Sequence, residues 1–115
     1  MRDIKFRAWN SEKPEMLLLG DLTGVNWNIK FIFKNYEIMQ FTGLIDMNGV
    51  DVYESDILKI TNPFTKRSVI KTVWWNSETA RFNGIPTSLT NVYEVIGNVY
   101  SNPELLNPSN TEAKD

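Results

Sequence analysis

The stretch TGLIDMNGVDVYESDI, residues 42–57, decides how this chain is read, because it packs four carboxylates into sixteen positions around an Asn-Gly pair. Either those acids converge on an ion or a reacting group, or they serve two turns of a β ribbon. The loop chemistry favours the ribbon. Asp46-Met47-Asn48-Gly49 fits a type I turn followed by glycine in the left-handed region, with the Asp46 carboxylate accepting nearby backbone N–H groups. With Met47, Asn48 and Gly49 as the tip, Asp46 faces Val50, Ile45 faces Asp51 and Leu44 faces Val52, so Leu44 and Val52 share one side. An EF-hand calcium loop needs glycine sixth, glutamate twelfth and helical flanks. Here glycine is fourth and the flanks read as strands.

Tyr53-Glu54-Ser55-Asp56-Ile57 makes the next corner. A tight turn puts an aspartate just before an apolar strand, where its carboxylate takes backbone donors that the bend leaves unpaired. Asp46, Asn48, Gly49 and Asp56 are therefore assigned to turn structure. The rival readings are acid–base work by Glu54 and Asp56, and a metal-assisted centre of Asp46, Asp51, Glu54 and Asp56. For the Glu54–Asp56 pair, nothing supplies a third role.

Working outward, the 115 residues are 42% apolar, the size of one domain with one core. Cysteine is absent, which removes disulfides, thiolate nucleophiles and sulfur-rich zinc sites. Histidine is absent too, which removes Ser-His-Asp and Cys-His machinery and the commonest metal ligand. No catalytic residue, metal or cofactor is expected, and the chain is read as a non-enzyme. A formal charge of −2 argues against indiscriminate binding to duplex phosphates. The start, Met1 to Arg7, has no signal-peptide pattern, and no apolar run is long enough to span a bilayer, so a soluble, intracellular chain with no membrane partner is expected.

The dominant hydrophobic period is two, in short β-branched and aromatic runs bounded by Gly, Asn, Pro and Ser. Ile4 to Trp9 reads as a half-buried strand, with Ile4, Phe6 and Ala8 on one face and Lys5, Arg7 and Trp9 on the other. A turn through Asn10–Pro14 leads to Met16–Leu19. Trp27–Phe33 and Tyr36–Phe41 should pair as a hairpin about Lys34-Asn35. Ile57–Thr61 and Ser68–Trp75 form another, with a basic tip. Ala80–Phe82 is a brief strand and Val92–Tyr100 a longer one, where Gly97 marks a bulge or a close approach. Leu105 and Leu106 should dock in a short helical turn after Pro103. The fold expected is mainly β, a small antiparallel barrel-like domain built from hairpins, over residues 1–106, with residues 107–115 a polar, flexible tail.

Several of these motifs, in order, resemble the YopX family of phage and prophage proteins: Lys5-Phe6-Arg7-Ala8-Trp9; Gln40 to Asp46 with Asn48-Gly49; Val52 to Ile57; and Glu94 to Tyr100 with Asn102 to Leu106. The resemblance implies a mainly β, barrel-containing fold, a phage or prophage origin and a bacterial cytoplasm as the working compartment, and it brings no catalytic residues to carry over. It also marks a departure, since the family commonly has glycine where this chain has Ser55. A positive φ there would strain serine by about 1 kcal/mol.

Charge is segregated along the sequence. Ile57 to Lys71 holds Lys59, Lys66, Arg67 and Lys71 with no acid, while Asp46 to Asp56 holds four acids with no base. With Phe64, Trp74 and Trp75 nearby, these cations form the candidate binding surface. Trp74 and Trp75 are adjacent, so one is expected to point into the core and one outward. Trp9 and Trp27 are assigned to the core. The expected role is a binding module acting on a host or phage protein, in regulation or counter-defence. The alternatives are a small barrel that binds single-stranded nucleic acid and the carboxylate enzyme described above. Unsatisfied strand edges also allow a homo-oligomer.

Overall fold

The computed structural model describes residues 4–20, 34–86 and 91–107. Nine strands lie among them: β1 Phe6–Asn10, β2 Glu15–Gly20, β3 Tyr36–Ile45, β4 Asp51–Tyr53, β5 Asp56–Thr61, β6 Ser68–Thr72, β7 Trp74–Asn76, β8 Arg81–Asn83 and β9 Val92–Asn98. A 3-10 turn follows at Pro103–Leu106. The fold is mainly β and antiparallel, with one half-barrel-like sheet, as expected. Strand orders are β2-β1-β3-β4, β6-β5-β9 and β7-β8. The expected strand at Trp27–Phe33, and Trp27 itself, lie outside the described residues. None of the described helices is long and apolar enough to cross a membrane.

One side-chain device ends strand after strand. Asn10 Oδ1 accepts the N–H groups of Glu12 and Lys13 at 3.0 and 3.2 Å. Asn62 does the same for Phe64 and Thr65, Asn76 for Glu78 and Thr79, and Asn98 for Tyr100 and Ser101. An asparagine carbonyl two and three residues ahead of unpaired donors stabilises a turn over a continuing ladder. That is why runs of β-formers in this chain stop where they do.

The central ribbon departs from simple register. Ile45 faces Asp51 as expected, but the next pair is Phe41 with Tyr53, so β3 carries two extra residues between them. Gly43 sits at φ +91°, and the Thr42 hydroxyl donates to the Val52 carbonyl at 2.8 Å while accepting the Leu44 N–H at 3.2 Å. This bulge turns Leu44 to solvent while Val52 is fully buried, so the two do not share a side.

Ser68–Trp75 is two strands, not one. The break is Val73, whose N–H donates to the Asp56 carbonyl at 2.9 Å and whose carbonyl accepts the Ser55 N–H at 2.8 Å. Pinned to the corner before β5, Val73 enters the core, and the chain beyond it pairs with β8 instead of β5. Val73 joins Val52, Leu58 and Ile60, with Phe82, Ile85, Tyr93 and Val95 packed around them. Burial of each such side chain contributes about 1.5–3 kcal/mol. Opposite β5, Ile96 is the extra residue of a second bulge, since Ile57 faces Gly97 and Leu58 faces Val95. A Cβ on Gly97 would stand 2.5 Å from Asn102 Oδ1, so close approach and bulge coincide. Of the expected docking pair after Pro103, Leu105 is half-buried and Leu106 is exposed.

Candidate functional site

The four acids of residues 46–56 go to four different places. Asp46 Oδ1 accepts the N–H groups of Asn48 and Val50 at 2.8 and 2.9 Å, and its Oδ2 accepts the Val95 N–H at 2.9 Å. Burial acts to raise its carboxyl, but the donors from Val95, Val50 and Asn48 prevail and hold it below the ordinary 3.8. Asp51 pairs with Lys5 at 2.7 Å, and Glu54 Oε1 accepts the Gln40 N–H at 2.7 Å. Among the described residues no three acids come together where they could hold an ion.

Asp56 is only 1% exposed. Its Oδ2 takes the Tyr53 N–H at 2.7 Å, and its Oδ1 meets Arg7 Nη2 at 2.8 Å. Burial pushes this carboxyl up, outweighing the Arg7 charge and the Tyr53 N–H that pull it down. Arg7 also donates to the Glu54 carbonyl at 3.0 Å and lies 4.7 Å from the Tyr53 ring centre. The alternation of β1 places Arg7 on its polar face, but that face is covered, and Arg7 is 8% exposed. No local signal marks it, because its partner lies 49 residues away.

The cations of residues 57–71 do not form one patch. Lys59 stands opposite Ile70 and Glu94, while Lys71 stands opposite Leu58, so the two lysines occupy opposite faces of the sheet. Lys66 is at the hairpin tip at φ +65°, beside Phe64, which is 79% exposed. Lys71 instead lines a groove of about 390 Å³ between the sheet and the β8 segment. Ile60 and Val69 form the wall on the sheet side. Arg81, Phe82 and Asn83 line the other side and continue into Gly84, Ile85 and Pro86, and Asn91 completes the lining. An adjoining recess of about 380 Å³ shares Ile60, Val69 and Asn91 and adds Arg67, Asn62, Thr65 and Ser68.

Of the cations singled out from the sequence, Arg67 and Lys71 line these recesses; Arg81, Phe82, Asn83 and Asn91 line them too and were not singled out. Their approach depends on β7–β8 pairing, which no short pattern encodes.

Both tryptophans are exposed, Trp74 at 48% and Trp75 at 46%, which corrects the expectation that one would be core. They lie on a two-stranded ribbon, and each face of so thin a layer keeps one of them half in solvent. Trp75 meets Phe82 edge-on at 5.0 Å. Trp9, half-buried, stacks on Tyr100 at 5.9 Å.

Comparison with known proteins agrees with this architecture. No curated protein matches. Protein EF1440 from Enterococcus faecalis is 27% identical, with 92% of this chain and 99% of that one covered and a TM-score of 0.65. YopX from Bacillus subtilis is 19% identical, with 88% and 96% covered and a TM-score of 0.50, a likeness of fold. The family described as YopX protein matches residues 21–107, which include the acidic ribbon, the groove and the corner before β5. With that match spanning most of its length, the chain belongs to the YopX family.

Proposed function

We propose that this chain is a non-enzymatic binding module, of phage or prophage origin, that acts on a host or phage protein in the bacterial cytoplasm. The observation that carries the reading is the exposure of Trp74, Trp75 and Phe64 on one ribbon and the hairpin tip preceding it in sequence. Large apolar rings held nearly half or more in solvent are costly for a free domain, and tryptophan with arginine is the composition of interface hot spots. The dispersal of the four acids into separate structural bonds supports the non-enzymatic part.

Affinity capture from bacterial lysate tests this directly. The intact chain should recover a stoichiometric partner, and Trp74→Ala with Trp75→Ala should lose it while the fold persists by circular dichroism. Failure to recover any partner in repeated captures counts against the reading.

The second reading, single-stranded nucleic acid, is favoured by Arg67, Lys71 and Arg81 around the groove. It requires oligonucleotide binding that weakens steeply with salt.

A further inference from the structure

Three features set the chemistry of the groove between β6 and the β8 segment. Among the described residues, Arg67, Lys71 and Arg81 make no ion pair, and no carboxylate lines either recess. The space between them is walled by aliphatic side chains, Ile60, Val69 and Ile85. Asn91 lines both recesses, and among the described residues its buried Oδ1 has no hydrogen-bond partner.

We infer that this groove seats an extended acidic peptide segment of the partner protein, with carboxylates toward Arg67, Lys71 and Arg81 and an aliphatic side chain against Ile60 and Val69. This deepens the protein-binding reading and rests on it. Charge complementarity selects an anion, and the remaining chemistry selects peptide over nucleic acid. A single strand of nucleic acid needs an open aromatic face on which to stack. Among the described residues the groove's one ring, Phe82, is packed on the core and met edge-on by Trp75, while Trp74, Trp75 and Phe64 do not line the groove.

The test uses the full chain and four labelled probes: a glutamate-rich decapeptide carrying two leucines, the same peptide with Gln for Glu, the same with Lys for Glu, and a ten-nucleotide oligothymidine. Fluorescence anisotropy should show binding of the glutamate peptide alone. Amide NMR shifts should concentrate at Val69, Lys71, Asn83 and Asn91. Lys71→Glu with Arg81→Glu, both exposed positions, should weaken binding by about tenfold or more without changing the thermal midpoint. Three results overturn the inference: no binding of the glutamate peptide, binding that ignores the charge reversals, or oligothymidine binding abolished by them. The protein-binding reading fails separately, when capture by the unmodified chain returns nothing. If a captured partner is lost with Trp74→Ala yet kept with the charge reversals, the reading stands and the groove assignment falls.

Discussion

Replacing Asp46 tests whether the acidic ribbon is structural. Three backbone donors converge on its carboxylate, two from its own loop and one from β9 across the sheet boundary. In Asp46→Ala the Val95 N–H loses its side-chain acceptor at a partly buried site, which costs about 1–3 kcal/mol, while the Asn48 and Val50 N–H groups at the exposed tip turn largely to water. The expected total is about 2–4 kcal/mol, a sizeable part of a stability of about 5–15 kcal/mol.

Asp46→Asn is the sharper variant. Its single oxygen can keep the two loop donors, but its NH₂ then faces the Val95 N–H, donor against donor, so the loss stays near 1–3 kcal/mol. Urea unfolding followed by tryptophan fluorescence at pH 7 measures both. Acid adds a second readout. The folded carboxyl lies below 3.8, so as pH falls below that value the unfolded chain takes up the proton first. Stability from Asp46 is present above that pH and is lost as pH falls through the folded value. The gap between the wild type and Asp46→Asn should therefore shrink in acid. A gap within about 0.5 kcal/mol at pH 7, or one that persists unchanged in acid, refutes the structural assignment.

Three further outcomes follow from the same geometry. Arg7→Met strands the Asp56 carboxylate in the interior and should cost about 3–5 kcal/mol, while a double-mutant cycle with Asp56→Leu should show strong coupling; additive losses would contradict the ion pair. Ser55 sits at φ +72°, so Ser55→Gly should raise stability, with relief of strain offset in part by added freedom in the unfolded chain, for a net gain of up to about 1 kcal/mol in urea melts. Gly84 is at φ +93°, where a Cβ would run into the Thr72 carbonyl, so Gly84→Ala should distort the groove, lower the thermal midpoint by several degrees and shift the amide resonances of Thr72 and Val73.

The hairpin at Asp46–Gly49 was legible because its determinants are local. A short polar loop, a glycine at φ +80° and an aspartate within reach of its own backbone leave few alternatives over five residues. The Asn62–Arg67 tip and the bulge at Gly97 were legible for the same reason, and alternation identified most strands. Serine at the corner before β5 was marked by the family resemblance, and its φ agrees.

Features joining distant segments were not legible. Arg7 reads as a surface residue until Asp56 arrives from 49 residues away, and Val95 reaches Asp46 across an equal separation. The split at Val73, the half exposure of both tryptophans and the approach of Arg81 to Lys71 also depend on which strands pair. Turn chemistry and side-chain alternation act within a few bonds and are written in the sequence itself. Which face becomes covered, and which charges meet, is decided only when remote strands compete for the same hydrogen bonds and the same buried volume, and that competition belongs to the tertiary structure.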